Sequence, residues 1–190
     1  MEQKKKLATD TYYYKDRAKT VGIIFNSWDD SEPEIIIHSW LGADKYGPYI
    51  PGEFYKRELP CIINLITEHK LDLKEFDTII LDGLARLPGS STEGLGIHLE
   101  DKITELWPDL DFYDRPSIMG VAKTKFGNVE DDKGTCTVLR GTAKTPFYVN
   151  TTWHLMSSAE AASHLKEMHG EHRIPTLLKL LDRATKSDVV

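Results

Sequence analysis

The stretch Phe76-Asp77-Thr78-Ile79-Ile80-Leu81-Asp82-Gly83 is a short apolar run that ends in a carboxylate and a glycine. A run of this length and composition is typical of a strand buried in a parallel sheet. Gly83 allows a sharp turn and the close approach of a ligand. Ligands of such sheets bind at the carboxyl ends of the strands, so Asp82 is a candidate functional residue. The alternative is that Asp82 only forms a turn or caps a helix.

The segments before this run predict three strands followed by a helix. Residues 6–14, 20–27 and 33–40 are rich in β-branched and aromatic side chains and are separated by short polar breaks, which indicates an antiparallel meander. The helix has four apolar residues at helical spacing: Leu59, Ile62, Ile63 and Ile66. We expect Pro60 in its first turn, which places Glu58 near the helix N-terminus.

The segments after the run predict alternating helices and strands. A helix carries Leu95, Leu99, Ile103 and Leu106, and short strands are expected at residues 117–121, 135–139 and 146–149. Residues 128–133 are polar and predict a hairpin tip or a mobile loop. A capping box at 157–160 opens a helix, and Pro175 starts the last one. This order over a single domain, residues 1–190, resembles the α/β ribonuclease H-like fold: a mixed sheet with an antiparallel three-strand start and flanking helices.

The composition limits the class of protein. The chain has 190 residues, of which 40% are hydrophobic, and its formal net charge is −6. This charge argues against a broad, non-specific grip on nucleic acid but leaves room for a local basic strip. No secretory signal and no apolar run of about 20 residues is present, so we expect neither export nor a membrane span. The two isolated cysteines favour a reduced protein, and we expect a cytoplasmic monomer.

Three further carboxylates are candidates beside Asp82. Asp10 interrupts a strand, Glu58 opens a helix, and Asp182 lies at the edge of the apolar stripe of the last helix. Each has an ordinary alternative: a solvated strand face for Asp10, the helix dipole for Glu58 and a solvated flank for Asp182. Lys123 follows the strand-like Gly120-Val121-Ala122 and is otherwise a surface lysine. Carboxylates on separate strand ends with a cation nearby are what metal-assisted phosphodiester hydrolysis requires.

Five segments together resemble endonuclease V, a family of metal-dependent nucleases that cleave nucleic acid beside deoxyinosine or inosine. The resemblance is strongest at Pro48-Tyr49-Ile50-Pro51-Gly52 through Lys56-Arg57-Glu58-Leu59-Pro60. The other four segments are residues 8–13, 79–83, 120–123 and 173–183. By this resemblance the fold is that of the ribonuclease H-like nucleases, and the activity is in DNA repair or RNA processing.

The resemblance also implies a role for each candidate residue. Four carboxylates would bind Mg²⁺, with Mn²⁺ as a substitute: Asp10, Glu58, Asp82 and Asp182. The first three, with Lys123, would be catalytic, and Lys123 would place a positive charge at the scissile phosphate or the nucleophile. The substrate, DNA or RNA, would be bound by Tyr49, Ile50, Pro51, Gly83 and His98. Tyr49 would be the wedge that enters the duplex at the lesion.

The loop after Asp82-Gly83 differs from the family pattern. The family has a loop that ends in His-Pro-Arg, whereas the sequence here is Leu84-Ala85-Arg86-Leu87-Pro88-Gly89, without a histidine. His98 stands where the family has a Ser-His pair. Two alternatives therefore remain: a metal-dependent nuclease with another DNA or RNA substrate, and a nucleic-acid-binding module that has lost turnover.

Overall fold

A computed structural model describes residues 3–51, 53–87, 92–124 and 134–187 of the chain. Within these ranges the protein is a seven-stranded sheet with helices on both faces. The strands are β1 (Lys5–Tyr13), β2 (Arg17–Phe25), β3 (Ile35–Gly42), β4 (Phe76–Asp82), β5 (Ser117–Ala122), β6 (Cys136–Val138) and β7 (Phe147–Thr151). The helices are α1 (Ala43–Tyr46), α2 (Tyr55–Glu68), α3 (Leu95–Leu106), α4 (Ser158–Glu167) and α5 (Thr176–Thr185).

The sheet is mixed, with the strand order β3-β2-β1-β4-β5-β7-β6. Strands β1, β2 and β3 pair antiparallel, which confirms the predicted three-strand meander. Strand β4 then runs parallel to β1, and β5 runs parallel to β4. Strand β7 returns antiparallel beside β5 and carries β6 on its outer side. The ribonuclease H-like fold class predicted from the sequence is confirmed.

The two faces of the sheet bury separate cores, and this explains why β4 is apolar at successive positions. Ile80 packs with α4 and α5, while its neighbours Ile79 and Leu81 pack with α2 and α3. Successive side chains of a strand point to opposite faces, so a strand covered on both sides needs an apolar residue at each position. At its carboxyl end β4 reaches solvent with the exposed Asp82.

Helix α2 begins earlier than the sequence predicts. It starts at Tyr55, so Pro60 is its sixth residue and lies inside the helix, and the prediction of Pro60 in the first turn is wrong. The missing N–H of Pro60 would otherwise donate to the carbonyl of Lys56, and this residue is exposed, where water can take that role. Glu58 does lie in the first turn of α2, as expected.

The remaining local predictions have mixed outcomes. The side chain of Ser157 caps α4 by accepting from the Glu160 N–H at 3.1 Å, and α5 follows Pro175 as predicted. The short helix α1 was not predicted, and the polar segment 128–133 lies outside the described residues.

Cys61 and Cys136 are both free. No helix in the described ranges is long and apolar enough to cross a bilayer.

Candidate active site

Asp10 and Asp82 meet at the edge of the sheet where β4 ends beside β1. The two strands are parallel neighbours, with Ala8 opposite Ile80. Asp10 and Asp82 lie two residues further along their strands, so both side chains point to the face that α5 covers. Their carboxyl groups are close enough to share a hydrogen bond when one of them carries a proton. The parallel pairing of β1 and β4 therefore brings together two acids that are distant in sequence.

The surroundings of Asp10 disfavour its charge. Burial, and next the negative charge of Asp82, raise the pKa of Asp10 to about 8. Two contacts act in the opposite direction: the Thr11 N–H donates to Oδ1 at 2.9 Å, and Lys123 lies near enough to favour the carboxylate. The effects of burial and of Asp82 outweigh these two contacts. An additional positive charge beside Asp10 would therefore stabilise its ionised form.

Glu58 reaches the same edge from α2. Burial raises its pKa to about 7, and the charge of Asp82 adds to this effect, while Tyr13 and Arg57 oppose it. Within the part of the chain that the structure describes, no three side chains of His, Cys, Asp or Glu converge closely enough to hold one ion. Glu58 is therefore a neighbour of the Asp10–Asp82 pair, and the pair itself forms the centre of the site.

Lys123 is the first residue after β5 and lines a small cavity with both aspartates. The cavity measures about 30 Å³ and has an apolar floor that includes Ile80 and Leu181. A single water needs roughly 10–15 Å³ of such volume, so one water or one small ion fits. The Lys123 carbonyl accepts a hydrogen bond from Arg173 Nη2 at 2.6 Å, which ties the lysine backbone to the turn before α5.

Asp182 is placed differently from the other acids. Its carboxylate pairs with the Lys186 ammonium at 3.1 Å, one turn further along at the end of α5, where Lys186 is exposed and Asp182 is partly buried. Lys186 also lies within the electrostatic range of Asp10. The structure thus brings Asp10, Asp82, Glu58 and Lys123 together, and it holds Asp182 beside them in an ion pair.

The predicted substrate-binding residues lie around this edge. Tyr49 and Ile50 are exposed, at 60% and 40%, and Pro51 is exposed beside them. The Arg57 guanidinium is 5.8 Å from the Tyr49 ring centre and only 3.6 Å from that of Tyr13, so it links the exposed segment to β1.

His98 lies in the first turn of α3. Its ring stacks on Tyr55 with centroids 3.8 Å apart, and its Nε2 is 3.1 Å from a carboxylate oxygen of Glu93. The imidazole therefore joins α3 to α2, and it does not line the cavity between the aspartates.

Comparison with known proteins resolves the fold. Neither the scan with protein-family models nor the search of curated proteins gave a match. Solved structures do match: endonuclease V of Ciona intestinalis, in complex with DNA containing inosine, covers 96% of this chain and 84% of its own at a TM-score of 0.69 and 16% identity. Human endonuclease V covers 97% of this chain and 83% of its own, with a TM-score of 0.65 and 16% identity. The Bacillus subtilis endonuclease V covers 97% of this chain and 79% of its own, with a TM-score of 0.63 and 17% identity. The chain has the endonuclease V fold.

The loop that departs from the family pattern leaves β4 through a tight turn at Gly83. After Asp82, the Gly83 N–H donates to the Val121 carbonyl at 2.9 Å, and Gly83 has a φ of 112°, which favours glycine. The space beside the Gly83 Cα is open, because a Cβ there would meet nothing within 4 Å. Leu84, Ala85 and Arg86 then turn inward and are buried. The side chains of Leu84, Ala85 and Arg86 therefore pack inside the protein and do not reach the Asp10–Asp82 pair.

Asn150 holds this loop in place. Its Oδ1 accepts from the backbone N–H groups of Ala85 and Arg86 at 2.8 and 3.2 Å, and its Nδ2 donates to the Arg86 carbonyl at 2.8 Å. Gly120 makes room on the other side, since a Cβ there would lie 2.1 Å from the Ala85 nitrogen. Sequence reasoning missed Asn150, although a polar residue within the apolar strand Phe147–Thr151 was a visible signal. Tyr13 and Arg173 lie in segments that carry the resemblance, but their contacts with Arg57 and with the Lys123 carbonyl depend on tertiary packing and were not predicted.

Proposed function

We propose that this protein is a divalent-metal-dependent endonuclease that hydrolyses a phosphodiester near deoxyinosine, inosine or another deaminated base in DNA or RNA. The observation that carries the proposal is the crowding of Asp10 against Asp82, with Glu58 beside them and one cation, Lys123, at the same cavity. Repulsion between carboxylates costs stability unless a cation offsets it, so such a cluster is expected where a metal ion binds.

The residues present fit a magnesium ion. Mg²⁺ prefers oxygen ligands, retains several waters and is commonly bound by one or two carboxylates together with substrate phosphate. Asp10 and Asp82 would supply the two carboxylates, and the cavity beside them has the size of one ion or water. When bound, the ion would lower the pKa of a coordinated water and neutralise charge on the phosphate. Mn²⁺ has the same ligand preference and would substitute.

The protein's own groups would act around that ion. Lys123 would place its ammonium group next to the scissile phosphate and stabilise the charge that develops there. Glu58, whose pKa is raised to about 7, would accept a proton from the attacking water near neutral pH. Asp182 would remain outside the metal's immediate ligands because Lys186 already neutralises it.

Recognition of the base would come from the exposed Tyr49-Ile50-Pro51 segment. Extrusion of a base costs a few kcal/mol and least at a mismatch, so a side chain that fills the vacated space selects weakly paired bases such as hypoxanthine. Tyr49 is 60% exposed and extends from a segment bounded by Pro48 and Pro51. The inosine-containing DNA bound by the Ciona protein supports the same class of substrate.

A cleavage assay tests this function. Labelled strands with one deoxyinosine or inosine, and matched strands with adenine, are incubated with Mg²⁺, Mn²⁺ or EDTA. We expect cleavage at one position near the lesion, absent in EDTA and in Asp82→Ala, and retained in the matched control Asp101→Ala on the exposed side of α3. Strand binding without product under every metal would contradict the enzymatic proposal.

A second candidate is a metal-dependent nuclease with a different DNA or RNA substrate. It is favoured by the loop after Asp82, in which residues 84–86 are buried and no histidine is present, so this wall of a base pocket differs from the family pattern. Cleavage that depends on metal and on Asp82 but is equal for hypoxanthine and adenine strands would establish this alternative.

A further inference from the structure

A row of aromatic and cationic side chains crosses three strands next to the carboxylate pair. Tyr12 on β1 lies opposite Lys19 on β2, and Lys19 lies opposite Trp40 on β3. Directly opposite residues of antiparallel strands share one face of the sheet. Tyr14 and Arg17 close the β1–β2 hairpin, where the Tyr14 N–H donates to the Arg17 carbonyl at 2.8 Å. We call these five residues the aromatic row.

The rings and cations of the aromatic row contact one another. The Tyr12 and Tyr14 ring centres are 5.1 Å apart, and those of Tyr14 and Trp40 are 5.6 Å apart. The Arg17 guanidinium lies 3.9 Å from the Trp40 ring centre, within the range of a cation–π contact. The end of α5 anchors the row, because Tyr14 Oη and Lys19 Nζ donate to carbonyls of the segment 185–187 at 3.1 and 3.0 Å. The row is therefore held in position before any ligand binds.

The aromatic row begins directly beside the candidate active site. Tyr12 follows Asp10 by two residues on the same face of β1, a distance of about 7 Å along a strand. Tyr12 is 40% exposed, and Arg17 is exposed. Tyr13 points to the opposite face, where Arg57 connects it to Tyr49. Exposed tyrosines thus flank the carboxylates on both faces of the sheet.

The charge of the aromatic row suits a polyanion. The chain carries a net charge of −6, yet the row contains no carboxylate and presents the exposed Arg17, whereas its second cation, Lys19, is buried and donates to the Ser187 carbonyl. In the part of the chain that the structure describes, Arg17 forms no ion pair with a carboxylate. Aromatic rings combined with cations are the means by which proteins bind unpaired nucleic-acid strands, since bases stack on the rings and phosphates meet the cations.

We propose that the aromatic row stacks unpaired bases of the substrate strand next to the scissile phosphate. The strand would cross the carboxylate edge of the sheet from Tyr49 on one face to Tyr12 on the other. This inference rests on the proposed nuclease function and adds to it the kind of substrate: a strand whose bases are unpaired on the Tyr12 side of the cleavage position.

Equilibrium binding without catalysis tests the aromatic row. Fluorescence anisotropy of a labelled short single strand is measured in EDTA with the wild type, Tyr12→Ala, Tyr12→Phe and Arg17→Gln. Loss of one stacking ring weakens binding by about tenfold, so we expect this loss for Tyr12→Ala and none for Tyr12→Phe. The matched control is Tyr113→Ala, a tyrosine 78% exposed ahead of β5 at the opposite edge of the sheet, which we expect to bind like the wild type.

The outcomes separate this inference from the proposed function. Wild-type affinity in both Tyr12→Ala and Arg17→Gln would overturn the role of the aromatic row, and so would an equal loss for a fully paired duplex. Circular dichroism confirms that each variant is folded. Cleavage is measured separately with Mg²⁺. A protein that binds single strands through Tyr12 but never cuts them would retain the aromatic row and lose the nuclease function.

Discussion

Asp10 illustrates at the scale of one residue how the fold prepares a site for a cation. Its ordinary pKa is 3.8, and burial with the neighbouring Asp82 raises the folded value to about 8. Between about pH 4 and pH 8, Asp10 therefore keeps its proton in the folded state, whereas the unfolded chain has released it. The native state binds more protons than the unfolded state, so the stability from this site is present at low pH and is lost as the pH rises.

We predict that the metal-free protein becomes less stable between about pH 4 and pH 8, the window set by the shift of Asp10, with Glu58 contributing up to about pH 7. Asp10→Asn should flatten this dependence, because the amide does not titrate. The measurement is the free energy of unfolding in urea across this pH range. Asp101→Asn, an exposed aspartate on α3, is the control and should follow the wild type. A pH dependence identical in Asp10→Asn and wild type would contradict the account.

Lys123 is the second residue for which a single substitution tests a proposed role, here the stabilisation of charge on the scissile phosphate. Lys123 lines the cavity together with Asp10 and Asp82, and removal of one transition-state stabilising group lowers a rate by about 10²–10³-fold. We predict a loss of this size for Lys123→Ala in single-turnover cleavage at saturating Mg²⁺. Lys144→Ala, which changes an exposed lysine between β6 and β7, should cleave at the wild-type rate. Equal rates in both variants would remove Lys123 from the catalytic residues.

At the scale of elements, the loop after β4 depends on a side chain from β7. Asn150 is fully buried and satisfies two N–H groups and one carbonyl of Ala85 and Arg86. We predict that Asn150→Ala destabilises the protein by about 3 kcal/mol, because buried backbone groups lose their partners. The measurement is urea unfolding. Asn64→Ala on α2 is the control, since its amide makes one long bond of 3.4 Å, and it should cost far less. Similar losses in both variants would contradict the role of Asn150.

Gly120 on β5 leaves the space in which the backbone of the same loop packs against the strand. A Cβ at this position would lie 2.1 Å from the Ala85 nitrogen and 2.2 Å from the Gly83 oxygen, both backbone atoms. We predict that Gly120→Ala costs about 3 kcal/mol, the upper range for overpacking, in the same unfolding experiment. At Gly42 the nearest atom is the carboxylate end of Asp44, which can rotate away, so Gly42→Ala should be mild. A mild Gly120→Ala would show that the loop is not held against β5.

Most elements could be predicted from the sequence because their signals are local. Hydrophobic periodicity located the strands and helices, and the capping box at Ser157 located the start of α4. The start of α2 was misplaced, because Pro60 was assigned to the first turn on its preference for that position, whereas packing of the residues before it extends the helix to Tyr55. A positional preference is weaker than the burial of an apolar face.

At the scale of the whole molecule, the candidate site depends on how distant segments align. The residue types were visible in the sequence, but the contact of Asp10 with Asp82 requires the parallel register of β1 and β4. The contacts of Arg173 with the Lys123 carbonyl and of Tyr13 beside Glu58 depend on helix placement, and no local pattern encodes them. In contrast, the spacing of four residues between Asp182 on α5 and Lys186 directly after it is itself a signal for their ion pair.

Binding of Mn²⁺ in the absence of nucleic acid tests the central claim most directly. The claim is that Asp10 and Asp82 together form the divalent-cation site, and electron paramagnetic resonance of free Mn²⁺ measures the bound fraction without reference to any substrate. We predict saturable binding by the wild type and by Asp182→Asn, and its loss in Asp10→Asn and in Asp82→Asn. Wild-type binding of Mn²⁺ by both of the last two variants would contradict the account.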